Sequence, residues 1–133
     1  MKNKFLMISM LGLLSLATFA SEYRDGTYRG NFFDRGEAQV NVEFKVKDNE
    51  VTEAKYRLLA YRGKNYLKDE ALEAEKAKYE AALQSTVGKN VDEGLENLYY
   101  PENIEMAGAS VRSNKIRSAM KDALNRGAYK LSK

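Results

Sequence analysis

Ala38-Gln39-Val40-Asn41-Val42-Glu43-Phe44-Lys45-Val46-Lys47 is the stretch on which the fold turns. Ala38, Val40, Val42, Phe44 and Val46 alternate with Gln39, Asn41, Glu43, Lys45 and Lys47. Side chains of a strand point to opposite faces in turn, so a period of two over these ten residues predicts one buried and one wet face. Asp48-Asn49-Glu50 follows as a hairpin loop. A third strand is expected beyond it. It starts at Val51, and Ala54, Tyr56, Leu58 and Ala60 then alternate with Glu53, Lys55, Arg57 and Leu59. Upstream, Gly26 to Phe33 reads as a first strand, closed by the turn Asp34-Arg35-Gly36. Three sequential strands on short turns favour an antiparallel meander.

After Arg62-Gly63-Lys64-Asn65 breaks the strand pattern, the composition shifts to Ala, Glu, Lys and Leu. Leu72, Tyr79, Leu83 and Val87 predict an amphipathic helix from Asp69 to about Val87, laid on the covered face of the sheet and ended by Gly88. Val91, Leu95 and Leu98 suit a second, short helix that stops at Tyr99-Tyr100-Pro101. Ile104-Glu105-Met106 is expected as one short strand. The final helix runs from about Ser113 to Asn125, with Ile116, Ala119, Met120, Ala123 and Leu124 on one face and Gly127 as its C-cap. The expected fold is α+β, an antiparallel β-meander packed with helices in a single small domain.

The N-terminus carries a different signal. Lys2 and Lys4 precede an apolar run from Phe5 to Leu16, and Ala17-Thr18-Phe19-Ala20 supplies the small residues of a cleavage site. Residues 1–20 thus read as a secretory signal peptide and residues 21–133 as the mature domain. The other reading is an uncleaved N-terminal anchor, although the apolar run is shorter than the roughly 20 residues a bilayer requires. Cleavage leaves 20 basic against 19 acidic residues. That near balance argues against nucleic acid or an anionic surface as a partner. The chain has no Cys and no His, which excludes thiol chemistry, a Ser-His-Asp triad and His-based metal sites. A redox role would have to be borrowed from a cofactor.

The segment that carries chemistry is Met106-Ala107-Gly108-Ala109-Ser110-Val111-Arg112-Ser113-Asn114, which leads into the last helix. Ala107, Gly108 and Ala109 leave room for a ligand to approach the backbone. The first-turn amides of a helix favour a phosphate. Ser110 and Ser113 add hydroxyls, and Arg112 and Lys115 add positive charge. The same pattern also fits an ordinary N-cap, with Ser113 or Ser110 accepting from the backbone. Elsewhere, Glu102 and Glu105 read as solvated loop charges with no accompanying base or nucleophile.

With these residues the chain resembles the FMN-binding domain family. That family includes the flavin-carrying C subunit of sodium-translocating NADH:quinone reductase, the related G subunit of the Rnf complex and exported flavoproteins of extracellular electron transfer. Asp25-Gly26-Thr27-Tyr28-Arg29-Gly30 resembles the family's opening strand, and Gly108-Ala109-Ser110-Val111-Arg112-Ser113-Asn114-Lys115-Ile116 resembles its flavin motif and helix. The resemblance implies an extracytoplasmic electron carrier holding FMN at Gly108, Ala109, Ser110, Arg112, Ser113 and Asn114. In covalent members the residue after Gly-Ala, here Ser110, takes FMN through a phosphoester made by a magnesium-dependent flavin transferase. A membrane redox complex is then the implied electron-transfer partner. The chain departs from the pattern at Ala107, at Ile104 with Glu105 one place late, at Ser110 instead of Thr, and at Arg112. Covalent FMN, noncovalent FMN and a cofactor-free binding module of the same fold all remain open. Tyr99 and Tyr100 are either ring-stacking residues or half-buried scaffold, and Tyr61 and Tyr66 are possible pocket walls.

Overall fold

The computed structural model describes residues 22–108 and 111–132. The expected leader, 1–20, and the Ala109-Ser110 pair therefore lie outside the described residues. The chain forms strands β1 (Gly26–Asp34), β2 (Glu37–Lys47), β3 (Glu50–Tyr61) and β4 (Lys64–Asn65), then helices α1 (Glu73–Gln84), α2 (Val91–Asn97) and α3 (Ser113–Arg126), and finally β5 (Lys130–Leu131). The strands make one five-stranded sheet in the order β4-β3-β2-β1-β5, with every neighbouring pair antiparallel. This is the expected α+β meander, extended at each edge by a two-residue strand.

Three two-residue turns set the register. Arg35-Gly36, Asp48-Asn49 and Arg62-Gly63 all have positive φ at both positions. Tight hairpins need that geometry because it matches the twist of the flanking strands. Arg62-Gly63 thus does not end the meander: it folds Lys64–Asn65 back onto Ala60 and Tyr61 as β4.

The buried face of the sheet carries Tyr28, Val40, Val42, Phe44, Val46, Val51, Tyr56 and Leu59. Tyr28 and Phe44 stack with ring centroids 5.5 Å apart. β3 departs from simple alternation. Val46 pairs with Val51 and Lys45 with Glu53, so Thr52 is an extra residue; Val42 pairs with Tyr56 and Asn41 with Leu58, so Arg57 is another. Each bulge shifts the phase by one. Leu59, not Leu58 or Ala60, is therefore the buried residue at the end of the strand.

The helices cover one face. Ile116, Ala119, Met120 and Ala123 of α3 pack over β1 and β2, and Ala82 and Leu83 of α1 pack over β3. α1 is shorter than expected. A single 3-10 turn, Glu70–Leu72, precedes it and is capped by the Asp69 carboxylate. At the other end Ser85 Oγ and Thr86 Oγ1 donate to the carbonyls of Ala82 and Leu83, and the Gly88 amide donates to Val51 on the sheet edge. The chain leaves the helix to join β3. The strand expected at Ile104–Met106 does not form. Pro101–Asn103 is a 3-10 turn, and the amides of Ile104 and Ala107 donate locally to Pro101 and Ile104. That arrangement leaves no ladder to build.

On the other face, Arg29 and Lys55 flank Glu43 across three strands, with the Arg29 contact at 2.7 Å. The Arg29 hydrogen bond is the main force holding the Glu43 carboxyl below the ordinary glutamate pKa. A lowered pKa contributes stability above the unfolded-chain value near 4.3, and that contribution is lost as pH falls through the folded value. Acid unfolding followed by circular dichroism should accordingly be less steep for Glu43→Gln than for the native chain. Equal slopes would remove the carboxylate from the account. Gly30 yields a sharper prediction. A Cβ there would stand 2.1 Å from the Ala119 carbonyl oxygen and 2.4 Å from the Ala123 nitrogen. Gly30→Ala should cost about 2–3 kcal/mol in urea unfolding, whereas Gly36→Ala meets no neighbour within 4 Å and should cost only the strain of its positive φ, about 1–2 kcal/mol.

Candidate functional site

The first turn of α3 lies at the end of the sheet where β2, β3 and α1 converge. There the structure forms a solvent-open cavity of about 160 Å³ lined by Tyr61, Tyr66, Tyr79, Glu75, Arg112 and Lys115 over a floor of Val40 and Leu59. Tyr66 and Tyr79 meet edge to face at 5.8 Å. Tyr61 lies under the Lys115 ammonium, 4.3 Å from the ring centroid. Aromatic walls with a cation over one ring form a surface suited to a planar ligand that carries negative charge.

Lys115 owes its position to a residue assigned by alternation to the wet face. Phe32 pairs with Val40 and Phe33 with Ala38, so Gln39 is an extra residue in β2. The bulge turns Gln39 inward, where it is buried. Its Oε1 accepts from Lys115 Nζ at 2.6 Å, and its Nε2 donates to Glu37 at 3.0 Å. The Glu37 carboxylate also accepts from the amides of Arg62 and Gly63 in the turn between β3 and β4. The Gln39 amide leads these contacts in holding the Glu37 carboxyl below its ordinary pKa. Burial leads in lowering that of Lys115; Arg112 and Arg62 push the same way, and Asp34 and Glu37 oppose.

The residues expected at the site separate into groups. Gly108 has φ +82°, and a Cβ built on it meets nothing within 4 Å, so the backbone there is open to approach. It opens on a shallow surface with Lys78, Glu102 and Met106 and does not line the tyrosine cavity. Ala109 and Ser110 lie outside the described residues. Arg112 is exposed and forms the N-cap of α3; it lines the cavity, and its amide donates to the Tyr79 hydroxyl at 3.4 Å. Asn114 is exposed in the first turn. Ser113 is inside the helix, not capping it, and it is buried, with its hydroxyl donating to the Leu98 carbonyl. That hydroxyl ties α3 to the end of α2.

Tyr61 and Tyr66 are cavity walls, and Tyr79, expected as scaffold, is a third. Tyr99 and Tyr100 are not among the lining residues. They stand about half exposed, edge to face with each other, and Arg117 lies 4.0 Å from the Tyr99 ring. Gln39, Glu37 and Glu75 were absent from the expected site. No sequence signal marks the bulge that brings Gln39 in. Among the described residues, no group of acids could hold a metal ion, and no helix is long and apolar enough to cross a membrane.

Removing the Ser113 hydroxyl would leave the buried Leu98 carbonyl without that donor. Ser113→Ala should cost about 1–3 kcal/mol in denaturant unfolding while leaving any ligand contact of Arg112 in place. A stable variant with lost binding would instead return Ser113 to the ligand.

Comparison with protein-family models, curated proteins and solved structures finds no match to this chain.

Proposed function

We propose that the protein is an exported FMN-binding domain that serves as an electron carrier, with the flavin ring against the tyrosine cavity and the phosphate toward the start of α3. One observation carries the reading: Tyr61, Tyr66 and Tyr79 share a cavity with Arg112 and Lys115. The tyrosines offer flat apolar surface to the ring, and the two cations suit a phosphate. Gly108, four residues before Arg112, adds backbone where a Cβ would meet nothing within 4 Å. The residues fit part of the group. Pockets for whole ligands of this size run to roughly 300–1,000 Å³, so a cavity of about 160 Å³ holds one end while the remainder extends past Arg112 over the protein surface.

When bound, FMN supplies the redox couple that a chain without Cys or metal-ligating His lacks. The protein's own task is placement. Arg112 and Lys115 hold the anion, the tyrosines hold the ring plane, and the Val40–Leu59 floor excludes water from one side. Export follows from the leader at 1–20, and a flavin transferase and a membrane redox complex are the partners proposed with it. The committed Ser113 hydroxyl favours a second reading, a cofactor-free module that binds another phosphorylated ligand at the same cations.

The two readings separate on titration of FMN into the purified protein. The flavin reading expects saturable quenching of flavin fluorescence, weakened about tenfold by Arg112→Ala through loss of one charge-assisted contact. Absence of quenching at submillimolar FMN would leave only the second. Covalent attachment has its own measurement. Protein from its native cell should fluoresce on a denaturing gel, and Ser110→Ala should not. A mass equal to the signal-cleaved chain alone counts against the phosphoester.

A further inference from the structure

Lys115 is a costly residue to place as it stands here. Its ammonium is drawn partly out of water, beside two other cations, Arg112 and Arg62. Among the described residues it makes no ion pair within 4.0 Å. The nearby carboxylate that might have paired with it, Glu37, is instead held by Gln39 and by the turn amides of Arg62 and Gly63. An ammonium has three donors. Gln39, neutral and almost fully buried, takes one at 2.6 Å. The Tyr61 ring, 4.3 Å away, and the Phe32 ring, 5.9 Å away, meet the charge without neutralising it. Among the described residues its close contacts are a neutral amide and ring faces, Asp34 and Glu37 act on it from beyond ion-pair distance, and it faces a cavity with aromatic walls.

The bulge at Gln39 belongs to the same arrangement. Without the extra residue between Phe32 and Phe33 of the pairing, Gln39 would face the opposite side of the sheet and Lys115 would lose its fixed acceptor. A flexible four-carbon side chain is thereby held in one direction, which lowers the ordering cost of binding.

We propose that Lys115, aimed by the bulged Gln39, is the group by which this cavity selects an anionic aromatic ligand over its uncharged counterpart. The proposal deepens the cavity reading above and rests on it, although not on the ligand being FMN. Lys115 is the specificity-determining residue, and Gln39 is a positioning residue that acts through it.

The test uses two probe pairs on the purified protein: FMN against riboflavin by fluorescence quenching, and phenyl phosphate against phenol by amide shifts at Tyr61 and Lys115. The charged member of each pair should bind about tenfold or more tightly, the scale of one charge-assisted contact. Lys115→Gln should cut most of that preference, leaving the share that Arg112 holds, without changing the uncharged member, and Lys115→Arg should retain most of it. Gln39→Leu should weaken only the charged member, and adding it to Lys115→Gln should cost nothing further, since the two act as one unit. Thermal unfolding of each variant checks that the fold persists. Equal binding of both members by the native protein overturns the proposal, as does an equal loss for both in Lys115→Gln or an additive Gln39 effect. If FMN fails to bind while phenyl phosphate is still preferred over phenol, the flavin reading falls and this one stands. If FMN is preferred over riboflavin and Lys115→Gln keeps that preference in full, the flavin reading stands and this one falls.

Discussion

The contact between α3 and β1 at Gly30 is the constraint on which the rest of the molecule depends. With no Cβ at Gly30, the small residues Ala119 and Ala123 bring the helix backbone almost onto the strand. Asp122 fastens the same region by accepting from the Asn31 amide at 2.8 Å, and it also receives Arg126. That carboxylate occupies an amide of β1 beyond the two residues that β5 covers, which blunts an edge otherwise open to pairing. At the other end the Ser113 hydroxyl ties α3 to Leu98. A helix held at both ends presents its first turn with little freedom, and Arg112 and Lys115 inherit that order.

Bulges then decide which side chains reach the site. β2 carries an extra residue at Gln39, and β3 carries extras at Thr52 and Arg57. The two in β3 keep a hydrophobic face in phase over a strand of twelve residues whose apolar positions do not alternate strictly. The one in β2 does the reverse: it breaks an alternating pattern to bring one polar side chain in. Gln39 is buried yet hydrogen-bonded at both its oxygen and its nitrogen, which removes most of the penalty a buried amide would incur. A bulge that sets a satisfied polar group behind a cavity-lining lysine has a different purpose from one that repairs a core.

Much of this was legible in the sequence where local chemistry alone decides. The three long strands, the turns at Gly36 and Asp48-Asn49, and the boundaries of α3 follow from period two, positive-φ residues and the Gly127 cap. Misreadings fell where a distant partner decides. Leu58 and Leu59 are adjacent leucines, and only the pairing with β2 says which is buried. Ile104 to Met106 is apolar enough for a strand, but the turn begun by Pro101 uses its amides locally. The site was half legible. Arg112, Tyr61 and Tyr66 were marked by type and place, whereas Tyr79 reaches the cavity only through a helix face and Gln39 supports its Lys115 only through a bulge. Ser113 showed its hydroxyl in the sequence but not the carbonyl that holds it.

The side chains gathered at the cavity also limit what it can do. Tyr66 has its phenol pKa raised, chiefly by burial, so it remains protonated at neutral pH. Lys115 is pushed down from the lysine value but is bound to an acceptor that cannot take its proton. Glu75 is the lining carboxylate, and no histidine exists to shuttle protons near neutrality. Among the described residues, such a set can grip, orient and neutralise a ligand.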